Sequence, residues 1–151
     1  MNKVELVAFK AEHVDLLKIR AHELNTVFKL ANSYDGLKIL EGLRTSWTVL
    51  YDGRILGVIG YFEMWPGVFE AFLIPSEYLT KYAVPFARIV KRHFDTLAES
   101  HKCHRVQAIA LNDALHDRWL TYLGFSCEGV LKEYNVERKD YKMWARLYKW
   151  E

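Results

Sequence analysis

Cysteine is scarce in this chain, and long apolar runs are missing altogether. The two cysteines, Cys103 and Cys127, form no CxxC pair and no metal-ligand spacing, so neither a disulfide framework nor a metal site is predicted. No apolar stretch approaches the roughly 20 residues of a membrane-spanning helix. The first residues also lack the apolar segment of a signal peptide. We therefore expect a soluble protein of the cytoplasm, no membrane partner and reduced thiols.

A strong charge of either sign is also lacking. The formal net charge is +2, from 21 Lys and Arg against 19 Asp and Glu, and the charges are mixed along the chain. A dedicated nucleic-acid binder usually has a concentrated basic face. The most basic stretch, His101 to Arg105, is more typical of a solvated surface. Nucleic-acid or ribosome binding is therefore the least favoured class of function.

Aromatic residues, in contrast, are abundant. The chain of 151 residues is 51% hydrophobic, which is enough for the core of one domain spanning residues 1–151. Five Trp, nine Tyr and eight Phe exceed what a modest core requires. They indicate either packing within the core and sheet or an interface with another chain, including a homodimer.

Apolar periodicity and turn residues predict the elements of the first half. Asp52-Gly53 is typical of a tight hairpin turn, because both central positions of a type I′ turn need positive φ. Val68 to Ile74 is apolar at almost every position, which indicates a central strand covered on both faces. The predicted helices are Ala11 to Leu24 and Tyr34 to Leu43, and the predicted strands are Val4 to Phe9, Trp47 to Tyr51, Ile55 to Met64 and Val68 to Ile74.

The second half continues with two helices and three strands. Pro85 suits the first turn of a helix that runs to about Glu99, because its missing N–H costs nothing there. Gly124 suits a helix end, since glycine enters the left-handed conformation without steric cost. The further predictions are a strand over Arg105 to Ala110, a helix over Ala114 to Leu123 with Leu115, Trp119, Tyr122 and Leu123 on its apolar face, and strands over Phe125 to Val136 and Tyr141 to Tyr148.

The best-defined motif is Asn112 to Phe125, NDALHDRWLTYLGF, which runs from a strand end through a short helix to Gly-Phe. Together with the element order, it resembles the GNAT superfamily of acetyl-CoA-dependent N-acetyltransferases. The resemblance implies an α/β GNAT (acyl-CoA N-acyltransferase) fold, with a mixed, mostly antiparallel central sheet and helices on both faces. It also implies transfer of an acetyl group from acetyl-CoA to a primary amine by direct attack.

The resemblance implies several contacts with acetyl-CoA. Asn112 would lie near the pantetheine arm, although a helix N-cap is an equal alternative that Asp113 can also supply. A backbone N–H near Leu73 or Ile74 would polarise the thioester carbonyl.

The segment expected to hold the pyrophosphate departs from the family pattern. Residues Pro75 to Pro85 contain no glycine, although glycines would let the backbone approach phosphates. The contacts expected there are Lys81, Tyr82 and Ala83, with Arg88 on the following helix. Bulky residues in the same segment, namely Tyr78, Tyr82 and Val84, are expected to crowd the backbone.

Two carboxylates are candidates for the general base that takes the proton of the attacking amine. Glu70 lies in the apolar central strand, and Glu63 precedes the turn before it. In structural terms, Glu70 could instead pair with a Lys or Arg or remain in water. The family's general-acid Tyr is replaced by Leu120, and Tyr122 is interpreted as packing. His116 is expected to be exposed.

A second interpretation is a GNAT-like protein without catalysis that acts by binding other proteins. The chain is similar to small GNAT-like proteins of tailed bacteriophages, a group that includes internal virion protein A, which serves virion assembly. The features that carry this similarity are the missing glycines and the long helix ARIVKRHFDTLAE. The aromatic C-terminus YKMWARLYKWE would suit docking. The location would then be the host cytoplasm or the virion, and the partner a virion or host protein.

Overall fold

The computed structural model describes residues 4–16 and 34–150. It contains seven strands, three α-helices and two short 3-10 turns in these residues. The strands are β1 (Val4–Ala8), β2 (Ser46–Tyr51), β3 (Arg54–Trp65), β4 (Val68–Pro75), β5 (Arg105–Leu111), β6 (Ser126–Leu131) and β7 (Tyr141–Leu147). The α-helices are α1 (Tyr34–Leu43), α2 (Ala83–His101) and α3 (Ala114–Tyr122), and the 3-10 turns are Ala11–Leu16 and Glu77–Tyr82.

The strands form one mixed sheet in the order β1-β2-β3-β4-β5-β7-β6. The pairs β1–β2, β2–β3, β5–β7 and β6–β7 are antiparallel, and β4 pairs with β5 in parallel. The predicted central position of β4 is confirmed by this order. Among the described helices, none is both long and apolar enough to cross a membrane.

Residue contacts divide the chain into two compact units. The first comprises Met1–Tyr61 with Leu73–Phe86, and the second comprises Phe62–Phe72 with Ala87–Glu151. In the first unit, β2 and β3 are joined by the predicted tight turn, where Asp52 and Gly53 have φ values of 48° and 80°. Its core is mainly apolar, and its fully buried apolar side chains include Val49, Leu56, Val58, Ile59, Ile74, Leu79 and Phe86.

In the second unit, α2 and α3 both contact β7. Arg146 of β7 donates to Asp95 of α2 at 2.5 Å and to the Leu123 carbonyl at the end of α3 at 3.1 Å. Lys142 of β7 donates to both carboxylate oxygens of Asp117 at 2.9 Å. Lys142 and Arg146 lie on the same face of β7, since alternate strand residues share a face. The two helices therefore cover one face of this unit's sheet.

The predicted helix end at Gly124 is confirmed by its φ of 91°. Two other predictions differ from the structure. The segment Ala11–Leu16 forms a 3-10 turn rather than the start of an α-helix, and residues 17–24 of that prediction lie outside the described residues. The strand predicted over Phe125 to Val136 ends at Leu131. Positive φ values of 50° at Glu133 and 61° at Arg138 are incompatible with an extended strand and turn the chain instead.

Candidate functional site

The segment that follows β4 is tied to β3 inside the first unit. The Ser76 hydroxyl is fully buried, donates to the Ile55 carbonyl at 2.8 Å and accepts from the Tyr78 amide at 3.2 Å. The Ser76 amide donates to the Leu56 carbonyl at 2.9 Å. Serine at this position therefore satisfies two backbone groups and begins the 3-10 turn as its N-cap.

The end of β4 approaches β3 so closely that only glycine fits opposite it. A Cβ atom on Gly57 would lie 2.7 Å from the Ile74 carbonyl oxygen, well inside normal contact. Ile74 is buried, and Leu73 before it is half-buried. The two residues whose amides are expected to face the thioester are therefore on a strand end that β3 holds in place.

The helical stretch begins earlier than the sequence indicates. Ala83 has helical dihedrals, φ −59° and ψ −39°, so the 3-10 turn Glu77–Tyr82 passes directly into α2. The chain therefore passes from the 3-10 turn into α2 without an open loop between them. The side chains of Lys81, before α2, and of Arg88, within it, are both exposed.

The tyrosines that are expected to crowd this segment pack on the β2–β3 hairpin. Tyr82 stacks on Tyr51 with ring centroids 4.3 Å apart. The Arg54 guanidinium lies 5.3 Å from the centre of the Tyr78 ring. The Lys81 ammonium lies 5.7 Å from the Tyr82 ring, which is within the range of a cation–π interaction. Both rings therefore have packing partners of their own within the first unit.

At the start of α3, Asn112 and Asp113 have different roles. Asp113 is the N-cap, because its Oδ1 accepts from the His116 amide at 2.8 Å. The Asn112 side chain is exposed and has no hydrogen-bond partner among the described residues. His116, expected to be exposed, instead places Nδ1 2.7 Å from Asp113 Oδ1, and only 15% of its side chain is accessible. The cap is therefore accounted for without Asn112.

This separation predicts a difference in stability between two neighbouring variants. We expect Asp113→Ala to lower the free energy of unfolding by about 1 kcal/mol, because it removes the N-cap of α3. Asn112→Ala is expected to change it by less than about 0.5 kcal/mol, as for most exposed substitutions. Urea denaturation measures both values. Equal losses in the two variants would show that Asn112 shares the capping role.

On α3, the two residues near the family's general-acid position are Leu120 and Tyr122. Leu120 is half-buried and has no proton to give. Tyr122 is 47% exposed, and its ring lies 5.3 Å from the Lys91 ammonium of α2. Tyr122 therefore packs against Lys91 at the surface rather than in the core.

The carboxylate of Glu70 is held by a neutral amide in the second unit. Glu70 pairs with Gln107 in the parallel register of β4 and β5, and Gln107 Nε2 donates to Glu70 Oε1 at 3.1 Å. Gln107 Nε2 is also 3.2 Å from the sulfur of Met64. Glu70 is half-buried, whereas Glu63 is exposed. Of the two candidate bases, Glu70 is the one whose carboxylate the structure orients.

An ion pair extends this contact toward the edge of the sheet. Arg105 donates through both terminal nitrogens to the Glu128 carboxylate, at 3.0 and 2.6 Å, and through Nε to Gln107 Oε1 at 3.0 Å. Hydrogen bonding to Arg105 lowers the pKa of Glu128, and the same bond raises the pKa of Arg105. Alternation along β5 places Arg105 and Gln107 on one face, but only the strand register shows that they meet Glu70.

The aromatic C-terminus packs within the second unit. Tyr141 and Trp144 are buried, Trp150 donates through Nε1 to the Cys103 carbonyl at 2.6 Å, and its ring stacks on Tyr148. Burial raises the pKa of Tyr148 to about 12. The docking surface expected from the C-terminal aromatics is thus largely occupied by contacts of the chain with itself.

Comparison with known proteins identifies the fold. No protein-family model matches the sequence, and no curated protein matches it either. Among solved structures, a GNAT-family acetyltransferase from Streptococcus pneumoniae has a TM-score of 0.72 at 10% identity, over 97% of this chain and 100% of that one. The chain has the GNAT fold.

Two further solved structures are similar to this chain over nearly its whole length. Ard1 from Thermoplasma volcanium has a TM-score of 0.78 at 13% identity, over 97% of this chain and 99% of that one. Ribosomal-protein-S5-alanine acetyltransferase from Vibrio fischeri has a TM-score of 0.67 at 16% identity, over 95% of this chain and 92% of that one. At these low sequence identities, the similarity shows only that the chain shares the GNAT fold.

Proposed function

We propose that this protein is an N-acetyltransferase that moves an acetyl group from acetyl-CoA to a primary amine. The observation that carries the proposal is Glu70, a carboxylate oriented by Gln107 on the central strand of a GNAT fold. The ribosomal-protein-S5-alanine acetyltransferase from Vibrio fischeri and the GNAT-family acetyltransferase from Streptococcus pneumoniae share this fold. A carboxylate is a suitable acceptor for the proton that an attacking amine loses.

In this proposal, charged side chains attract the phosphates of acetyl-CoA, in place of the backbone amides of a glycine-rich loop. Lys81 and Arg88 are exposed cations close to the start of α2 and would attract the phosphates. The exposed amide of Asn112, which α3 does not need as a cap, is available to hold the pantetheine arm. Amides near Leu73 and Ile74, and the backbone at Tyr82 and Ala83, are the proposed neighbours of the thioester and the pyrophosphate.

The transfer itself is a direct displacement. The amine nitrogen forms the new C–N bond as the C–S bond breaks, and Glu70 takes the proton that nitrogen loses. Since Leu120 has no proton to give, we propose that the leaving thiolate is protonated by water.

Titration with acetyl-CoA tests the proposal. We expect calorimetry to detect binding, and the melting temperature to rise because a ligand that binds only the folded state stabilises it. Arg88→Ala is expected to weaken binding by about tenfold, since a hydrogen bond to a charged group contributes roughly 1.5 kcal/mol, and Asn112→Ala by about fivefold, since one between neutral groups contributes roughly 1 kcal/mol. Arg92→Ala, one turn further along α2, is the matched control and should bind as the wild type does. Lack of binding at millimolar acetyl-CoA would refute the proposal.

A second candidate function is a GNAT-fold protein that no longer catalyses and binds another protein, in virion assembly or on a host protein. Two observations favour it: the 3-10 turn runs into α2 without an open glycine loop, and Leu120 occupies the general-acid position. Failure to bind acetyl-CoA would favour this candidate over the enzyme.

A further inference from the structure

A chain of hydrogen bonds crosses the sheet of the second unit and ends on Glu70. It starts at the Glu128 carboxylate on β6, which accepts from both terminal nitrogens of Arg105 on β5. Arg105 Nε donates to Gln107 Oε1 at 3.0 Å, and Gln107 Nε2 donates to Glu70 Oε1 at 3.1 Å. Four side chains from three strands thus form one connected network.

Arg105 sets the orientation of the Gln107 amide in this hydrogen-bond network. A guanidinium group has only donors, so the Gln107 atom that faces Arg105 must be the amide oxygen. The Gln107 NH₂ group then necessarily faces Glu70, and its orientation does not depend on a choice between two similar amide rotamers. The NH₂ group of Gln107 donates to Glu70 Oε1 and to the Met64 sulfur, which lies 3.2 Å away. The Gln107 side chain is therefore held in one orientation.

An amide N–H that points at Glu70 Oε1 requires that oxygen to act as an acceptor. Glu70 Oε2 has no hydrogen-bond partner among the described residues. The charged groups connected to Glu70 are Arg105 and Glu128, which neutralise one another. Glu63 neighbours Met64 in β3 and projects from the opposite face by strand alternation. One oxygen of Glu70 is thus held, and the other is left to accept a proton.

We propose that Gln107 is a positioning residue for Glu70, kept in orientation by Arg105 and Glu128. The inference rests on the proposed function. Gln107 holds Oε1 so that Oε2 receives the proton of the attacking amine as the C–N bond forms and the C–S bond breaks. Gln107 itself touches neither the amine nor the thioester.

Two substitutions at Gln107 separate positioning from simple packing. Gln107→Glu keeps the size and the acceptor for Arg105 but places a second carboxylate beside Glu70. We expect the acid limb of its kcat–pH profile to move up by about one pH unit, because a nearby like charge disfavours an ionised carboxylate. Gln107→Met keeps the volume and removes both hydrogen bonds, and its kcat should fall about tenfold with KM for acetyl-CoA unchanged. Ile109→Met, on the same face of β5, is the control and should retain the wild-type profile.

A spectroscopic measurement detects the network without relying on activity. Gln107 is the only glutamine in the sequence, so selective ¹⁵N labelling of glutamine gives a single pair of side-chain amide signals. We expect those signals to shift in Glu70→Ala and in Arg105→Met. Unchanged signals in both variants would overturn the inference.

Kinetic outcomes separate this inference from the proposed function. An active wild type, with an unchanged pH profile in Gln107→Glu and an unchanged kcat in Gln107→Met, refutes the positioning role alone. A wild type that binds no acetyl-CoA and transfers no acetyl group refutes the proposed function and the positioning role together.

Discussion

Glu70→Gln is expected to lower kcat for acetyl transfer by about 10²- to 10⁴-fold, which is the usual contribution of a positioned general base. The substitution keeps the size of the side chain and an oxygen that can accept from Gln107, so folding should be little affected. What it removes is the carboxylate that takes the amine proton. Steady-state kinetics with acetyl-CoA and an amine acceptor measure the loss, and circular dichroism checks the fold.

Two further substitutions make this experiment decisive. Glu99→Gln, at an exposed position on α2, is the matched control and should retain wild-type kcat. Glu63→Gln tests the competing base. A large loss in Glu63→Gln together with near-normal activity in Glu70→Gln would assign the proton transfer to Glu63 and contradict the role proposed for Glu70.

Phe86→Ala is expected to lower the free energy of unfolding by about 3–5 kcal/mol, the range for removing a buried phenylalanine. Among the residues that the structure describes, Phe86 is the largest fully buried side chain, with 1% of its surface exposed. Truncation removes its transfer free energy and leaves a cavity in the first unit. Since a domain of this kind is typically stable by only about 5–15 kcal/mol, we expect a marked drop in the urea midpoint.

Val84→Ala is the matched control for this substitution. Val84 lies two residues earlier on the same helix but is 63% exposed, so we expect a change within about 0.5 kcal/mol. A loss of less than 1 kcal/mol in Phe86→Ala would show that this part of the core repacks around the missing ring.

Much of the fold was predictable because its signals are local. The helix over Tyr34 to Leu43 has the predicted bounds, and the turn at Asp52-Gly53 has the positive φ values that its residue types indicate. The end of α3 follows from Gly124 for the same reason. Each of these features depends on residues within a few positions of one another, so a short window of sequence contains what determines it.

Predictions failed where a local pattern allowed two conformations. The apolar run from Phe125 suited a strand as far as Val136, yet the chain turns after Leu131. Within the loop, the Glu133 amide donates to Asp140 Oδ1 at 3.0 Å and the Lys139 amide to Asn135 Oδ1 at 2.8 Å. The backbone N–H groups of this loop thus donate to side-chain oxygens instead of to a neighbouring strand. Periodicity does not report on such acceptors.

The same distinction between local and long-range determinants applies to the candidate site. From the sequence alone it follows that Glu70 lies in an apolar strand expected to be central, and that residues Pro75 to Pro85 lack the glycines that would let the backbone approach phosphates. Both are properties of residue type and order. They are enough to name the elements on which cofactor and base would lie.

The groups that hold these residues are set by contacts between distant parts of the chain. Glu70 and Gln107 are 37 positions apart, and parallel strands that far apart meet in a register set by the packing of the whole sheet. The choice of Asp113 rather than Asn112 as helix cap, and the stacking of Tyr82 on Tyr51, likewise depend on three-dimensional contacts. The residue types at each of these positions are compatible with several contact partners, and the packing of the folded chain determines which one is used.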